Sequence, residues 1–188
     1  MQTCLLFGLF VVVVVFLVPQ GAKLFHSSAR QTVYKYILFT IYSVGVLWLT
    51  LVNRWGLEVS RYRFKPFYVV RQLLTCWFDT NKISVYTCKA IQRNSKYLFD
   101  SVHASPIEDL LLNIILFIPF GFLLPYIWPK LRFWKTISIS FLVSVIIEAT
   151  QYVAQLGCCD IDDIFNNTLG SCIGYACYKM WKYFYNRT

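Results

Sequence analysis

The sequence predicts an all-α fold: a polytopic membrane helix bundle of about five transmembrane helices, with one short interfacial or re-entrant helix beside them. Three observations lead there. The 188 residues are 57% hydrophobic, 19% aromatic and only 14% charged, which is more apolar than an ordinary soluble domain. The apolar residues gather into long runs separated by basic or polar links. Within the last two runs, polar and acidic residues recur at helical spacing; at membrane depth such groups face protein or water rather than lipid.

The net charge is +9, from 18 Lys and Arg against 9 Asp and Glu. On a soluble domain that excess would point to nucleic acid. Here the cations fall in the links between apolar runs and form no stripe, so nucleic acid is set aside in favour of anionic lipid headgroups. The lipid bilayer is therefore the first expected partner. Seven Cys are scattered, with Cys158 and Cys159 adjacent and no pair at metal-ligand spacing. They read as small packing residues. No phosphate-binding loop, dinucleotide fingerprint or Cys-x-x-Cys is present, so neither a metal nor a cofactor is expected.

Taken in order, residues 4–18 form the first span, which includes the run VVVVVFLV. It has no preceding side-chain charge and no small-x-small cleavage site after it, so it is expected to be a retained helix and not a leader. A polar link at 20–31 leads to a second span at 33–52, with Tyr34, Tyr36 and Trp55 placed for interfacial aromatic belts. Residues 54–109 do not span: a basic, aromatic opening RYRFKPFYVVRQLL, an apolar piece at 67–78 too short to cross, and a polar stretch at 79–105. The third span, 110–128, contains Asn113, and its Pro119 and Gly121 interrupt the helical ladder. Asn113 and Gly121 share a face. After the basic turn KLRFWK comes a fourth span at 136–154, where Ser140, Ser144, Glu148, Gln151 and Gln155 form one polar stripe. A tight acidic turn at 156–163 precedes the fifth span, 164–184. On that span Asp163, Asn167, Gly170 and Gly174 share a stripe, and the two glycines form a GxxxG pair that lets another helix approach closely. The chain thus divides into an N-terminal helix pair (1–55), a basic and aromatic extracytoplasmic region (56–109) and a three-helix core (110–188).

Orientation follows from the short basic links. The link after span one, the turn after span three and the tail fall on one side of an alternating five-helix chain, and short basic loops stay in the cytoplasm. The expected arrangement is a multi-pass membrane protein with the N-terminus and the acidic turn outside and the C-terminus inside. The nine Lys and Arg of the long 54–109 region pull the other way, but the rule weakens for long loops.

The ordered set NIILFIPFGFLLP, then E-x-x-Q, then G-x-x-D-I-D-D-x-x-x-N-T-L-G-x-x-x-G resembles the VanZ-like family, and F-K-P-F at 64–67 is similar to that family's element before this core. The resemblance covers about 64–175. Members are bacterial integral-membrane proteins, and the namesake is associated with resistance to the glycopeptide teicoplanin. The resemblance places the family's motif positions at Asn113, Pro119, Gly121, Glu148, Gln151, Asp160, Asp163, Asn167, Gly170 and Gly174. Two departures stand out. Lys65 occupies a position usually uncharged, and Cys158 and Cys159 stand where many members have an Arg.

Asn113, Glu148, Gln151, Asp160, Asp163 and Asn167 are the candidate polar site, with Pro119, Gly121, Gly170 and Gly174 as helix-packing positions. The competing structural roles are a cap on the fifth helix for one of Asp160, Asp162 and Asp163, and a hydrogen-bonded packing group for Glu148. Three functions stay open. The first is an outward-facing pocket without turnover for a cell-wall precursor or a glycopeptide, with Arg61, Arg63, Lys65 and Arg71 contacting its anionic groups. The second is a membrane enzyme using the clustered carboxylates on a lipid-linked substrate, though no Ser, His or Cys nucleophile is well placed. The third is a proton-coupled carrier using Glu148, which the lack of an internal repeat disfavours.

Overall fold

The computed structural model describes residues 21, 27–51, 61–63, 106–154, 156 and 158–185. The expected first span at 4–18, the short helix at 67–78, the stretch at 79–105, and Lys65, Arg71 and Gln155 lie outside the described residues. In chain order the elements are α1 (Ser28–Thr50), β1 (Arg61–Arg63), α2 (Pro106–Ile127), α3 (Phe133–Val153), β2 (Cys158–Asp160) and α4 (Ile161–Tyr185).

Among the described residues three helices are long and apolar enough to cross a membrane: α1, the 110–127 part of α2, and α3. The fourth, α4, has 25 residues and reaches about 37 Å at 1.5 Å per residue, ample length for a span. Its first turns carry Asp162, Asp163, Asn166 and Asn167, and this polarity keeps it outside the apolar class. On α1 the exposed side chains Val33, Ile37, Ile41, Val44 and Trp48 recur every three or four residues. Such a contiguous apolar face suits hydrocarbon.

α2 and α4 run parallel and pack backbone to backbone. A Cβ on Gly174 would lie 2.0 Å from the Ile118 carbonyl oxygen, and one on Gly170 would lie 2.1 Å from that of Ile114. From the other side, a Cβ on Gly121 would meet the Ser171 carbonyl oxygen at 2.1 Å. Gly170 and Gly174 thus let the two backbones approach closely, and Gly121 supplies the reciprocal notch. α3 lies antiparallel to α4, and α1 antiparallel to α2. Phe39, Phe117, Phe120, Phe122, Leu123 and Tyr42 form the apolar centre between them.

α2 is one continuous helix through Pro119 and Pro125, in keeping with the single span expected at 110–128. Both rings are fully buried, and neighbouring helices donate to nearby carbonyls: Tyr42 Oη to Leu116 O at 2.7 Å and Ser171 Oγ to Phe117 O at 3.3 Å. The carbonyl that Pro119 deprives of its usual donor is that of Ile115, one residue earlier. The acidic turn is not a turn throughout. Cys158–Asp160 is extended and pairs in parallel with Arg61–Arg63, and α4 already starts at Ile161. The ladder supplies partners that a loop at this position would lack.

Candidate functional site

The stripe on α3 is buried along its length. Thr136, Ser140 and Ser144 are fully buried, Glu148 is 2% exposed and Gln151 is 1% exposed. It faces α4, so the polar groups meet protein and not lipid. Ser140 and Ser171 share a hydrogen bond through their hydroxyls. One turn along, Asn167 Nδ2 donates to Ser144 Oγ at 2.8 Å. On the α2 side, Asn113 Nδ2 donates to Asp163 Oδ1. These bonds form a polar column from mid-bundle to the end where α4 begins.

At that end the carboxylates take distinct parts. Glu148 Oε2 accepts the backbone N–H of Asp160 at 2.9 Å, which fastens β2 to α3. Asp160 Oδ1 accepts the N–H of Asp162 at 3.0 Å. Asp160 is thus the N-cap of α4, and Asp162 and Asp163 in the first turn suit the positive end of its dipole. Gln151 Nε2 donates to the Thr50 carbonyl at 2.9 Å, tying α3 to the end of α1. Hence Asn113, Glu148, Gln151, Asp160, Asp163 and Asn167 all lie on the seam between α3, α4 and their neighbours, toward one end of the bundle.

Charge is segregated along the bundle axis. Among residues with described side chains, the four acids Glu148, Asp160, Asp162 and Asp163 occupy this end. The seven cations Arg30, Lys35, Lys130, Arg132, Lys135, Lys179 and Lys182 occupy the other. There Lys35 Nζ sits 4.7 Å above the Tyr126 ring, beside a belt of Tyr36, Trp128, Trp181 and Tyr185. The only cationic positions that the described backbone brings to the acid end are those of β1, where Arg63 is in register with Asp160 and Arg61 with Cys158. Among the described residues no three His, Cys, Asp or Glu side chains gather where one ion could be held.

Sequence reasoning missed three participants. Thr136 extends the α3 stripe by one turn, and its spacing of four from Ser140 was the available signal. Ser171 follows Asn167 by four residues and so continues the stripe of Asp163 and Asn167; that spacing was the available signal for its face, though not for Ser140 as its partner. Thr50 enters through its backbone carbonyl, which no sequence pattern reveals.

Apolar helices around a buried polar column define an integral membrane protein of the helical, multi-helix class. A family model described as VanZ/LLP1 matches residues 3–182, and the chain belongs to that family. It is also similar to Protein VanZ of Enterococcus faecium, at 31% identity over 73 residues. That match covers 39% of this chain and 45% of the relative, so the chain spans under half the length of the curated protein it matches. No solved structure matches the chain.

Proposed function

We propose that the protein protects the bacterial cell envelope against glycopeptides of the teicoplanin type, through an outward-facing polar site at the acid end of the bundle. The observation that carries this is Glu148, a carboxylate 2% exposed on an apolar helix, held at the loop that opens α4. An ionisable group at such depth marks function by default, and the family and the VanZ relative supply the class. The acid end faces outward because the opposite end carries the cations and the aromatic belt, which suits the cytoplasmic leaflet. Five spans, with the N-terminus outside and the C-terminus inside, complete the arrangement: 4–18 is the first, and α4 is the last. No turnover is required for protection, which follows if the site holds an envelope component away from the drug.

The test is glycopeptide sensitivity of cells making the wild type or Glu148→Gln at equal membrane levels. Protection by the wild type that Glu148→Gln loses supports the site. Equal protection by both removes Glu148 from it, and absence of protection by the wild type removes the function.

A further inference from the structure

At the end of the bundle opposite the carboxylates, α1, α2 and α4 bring aromatic rings together. Tyr126, 6% exposed at the end of α2, meets Trp181 of α4 edge-on at 5.3 Å. Trp181 in turn stacks on Tyr185 at 5.0 Å. Lys35 reaches in from α1 and holds its ammonium 4.7 Å from the centre of the Tyr126 ring. Its long stem lets the charge lie at the helix ends while the backbone sits deeper. The side chain is half-buried, and among the described residues it has neither a carboxylate partner nor a hydrogen-bond acceptor. The ring face covers one side of the ammonium. Its N–H groups still need oxygen acceptors. A charge drawn part-way out of water in this manner calls for an anion.

We infer that this end carries a docking surface for the phosphate of an anionic phospholipid, seated on the Lys35 ammonium beside Tyr126, Trp181 and Tyr185. The surface lies at the opposite end from the polar site proposed above and stands independently of it. Depth selects a lipid as the source of the anion. Tyr and Trp at the ends of membrane helices sit at headgroup level, where a lipid phosphate is the acceptor at hand. Tyr185 and Lys182, three residues apart at the end of α4, are both exposed, so the surface opens outward from the bundle and does not close over a small ion. Charge selects the kind of lipid. The other cations of this end, on α1, α4 and the α2–α3 connection, are exposed, and among the described residues none of them is paired with a carboxylate. That excess favours a headgroup of net negative charge over a zwitterionic one, whose own ammonium would meet the same cations. Lys35 adds what diffuse attraction lacks: a fixed point for one phosphate, set by the ring beneath it.

The test separates a seated headgroup from general attraction to negative charge. Full-length protein in detergent is titrated with short-chain phosphatidylglycerol, short-chain phosphatidylcholine or inorganic phosphate, and thermal unfolding is followed. The wild type is expected to respond to phosphatidylglycerol at about tenfold lower concentration than to phosphatidylcholine, the ratio that about 1.4 kcal/mol supports. Inorganic phosphate should give no response in the same range. Lys35→Gln should abolish the preference. Lys182→Gln removes the same charge from the same end but leaves the ammonium on the ring, so it should keep most of the preference. Lys35→Arg retains both charge and ring contact and should keep it too, so it answers the question even where Lys35→Gln fails to fold. No preference in the wild type, equal losses in Lys35→Gln and Lys182→Gln, or loss of the preference in Lys35→Arg overturns the inference. A response to inorganic phosphate as strong as that to phosphatidylglycerol overturns the lipid as the occupant.

Discussion

Glu148 on α3 and Asp160 at the head of α4 are joined by one bond, carboxylate to backbone N–H, at 2.9 Å. The same carboxylate thus has a structural duty and a candidate functional one, and substitution can separate them. Glu148→Gln retains an acceptor for the N–H and loses the charge; Glu148→Ala loses both. Unfolding in detergent should show Glu148→Gln near the wild type and Glu148→Ala destabilised by about 1–3 kcal/mol, the cost of an unsatisfied buried donor. Glycopeptide protection should fall in both.

Asp160 accepts the N–H of Asp162 as the cap of α4. Asp160→Ala should cost about 1 kcal/mol, while Asp160→Ser should recover most of it, because serine caps as well. Thermal unfolding of the three proteins measures the difference.

The glycines offer a contrast within one chain. Gly174→Ala places a methyl group against the Ile118 carbonyl and forces α2 and α4 apart, at a cost of about 1–3 kcal/mol or more. Gly45 in α1 has nothing within 4 Å of where its Cβ would stand. Gly45→Ala should be neutral or stabilising by up to about 1 kcal/mol, since alanine gives up less backbone freedom in a helix. Resistance to proteolysis in detergent ranks the pair.

Ser140 and Ser171 bond across α3 and α4 in a fully buried setting. A double-mutant cycle of Ser140→Ala and Ser171→Ala should give a favourable coupling of about 0.6 kcal/mol, typical of hydrogen bonds between membrane helices. Zero coupling would show that each serine finds another partner when the first is removed.

A reporter fused after Thr188 checks the orientation. A cytoplasm-specific reporter should be active and a periplasmic one silent, because the α2–α3 turn and the end of α4 carry their cations at one end of the bundle.

The pattern of the core was readable before the structure because helical spacing is a local property. Ser140, Ser144, Glu148 and Gln151 fell on one stripe by counting, and all four are buried together. Gly170 and Gly174 were readable for the same reason; a cap on the last helix was expected of one of Asp160, Asp162 and Asp163, and only the structure picks out Asp160. What the spacing did not give is who answers whom across helices. The Gln151 bond to Thr50 spans 101 positions, and the Tyr42 bond to Leu116 spans 74. The pairing of Arg61–Arg63 with Cys158–Asp160 was invisible too, since three residues are too few to display the alternation of a strand. Pro119 was readable as a position that neighbours must support, but not which groups do so: the nearby Leu116 and Phe117 carbonyls accept from Tyr42 and Ser171.

The backbone contact of α2 with α4 decides where this protein can move. Two helices that meet backbone to backbone at Gly121, Gly170 and Gly174 have little room to rearrange there. They behave as one rigid keel. α1, in contrast, is held by side-chain bonds, such as Tyr42 to Leu116 and Gln151 to Thr50, which can be exchanged for bonds to a guest. Any breathing that admits a molecule to the acid end therefore falls to α1, and cross-linking it to α2 should close the entrance without disturbing the keel.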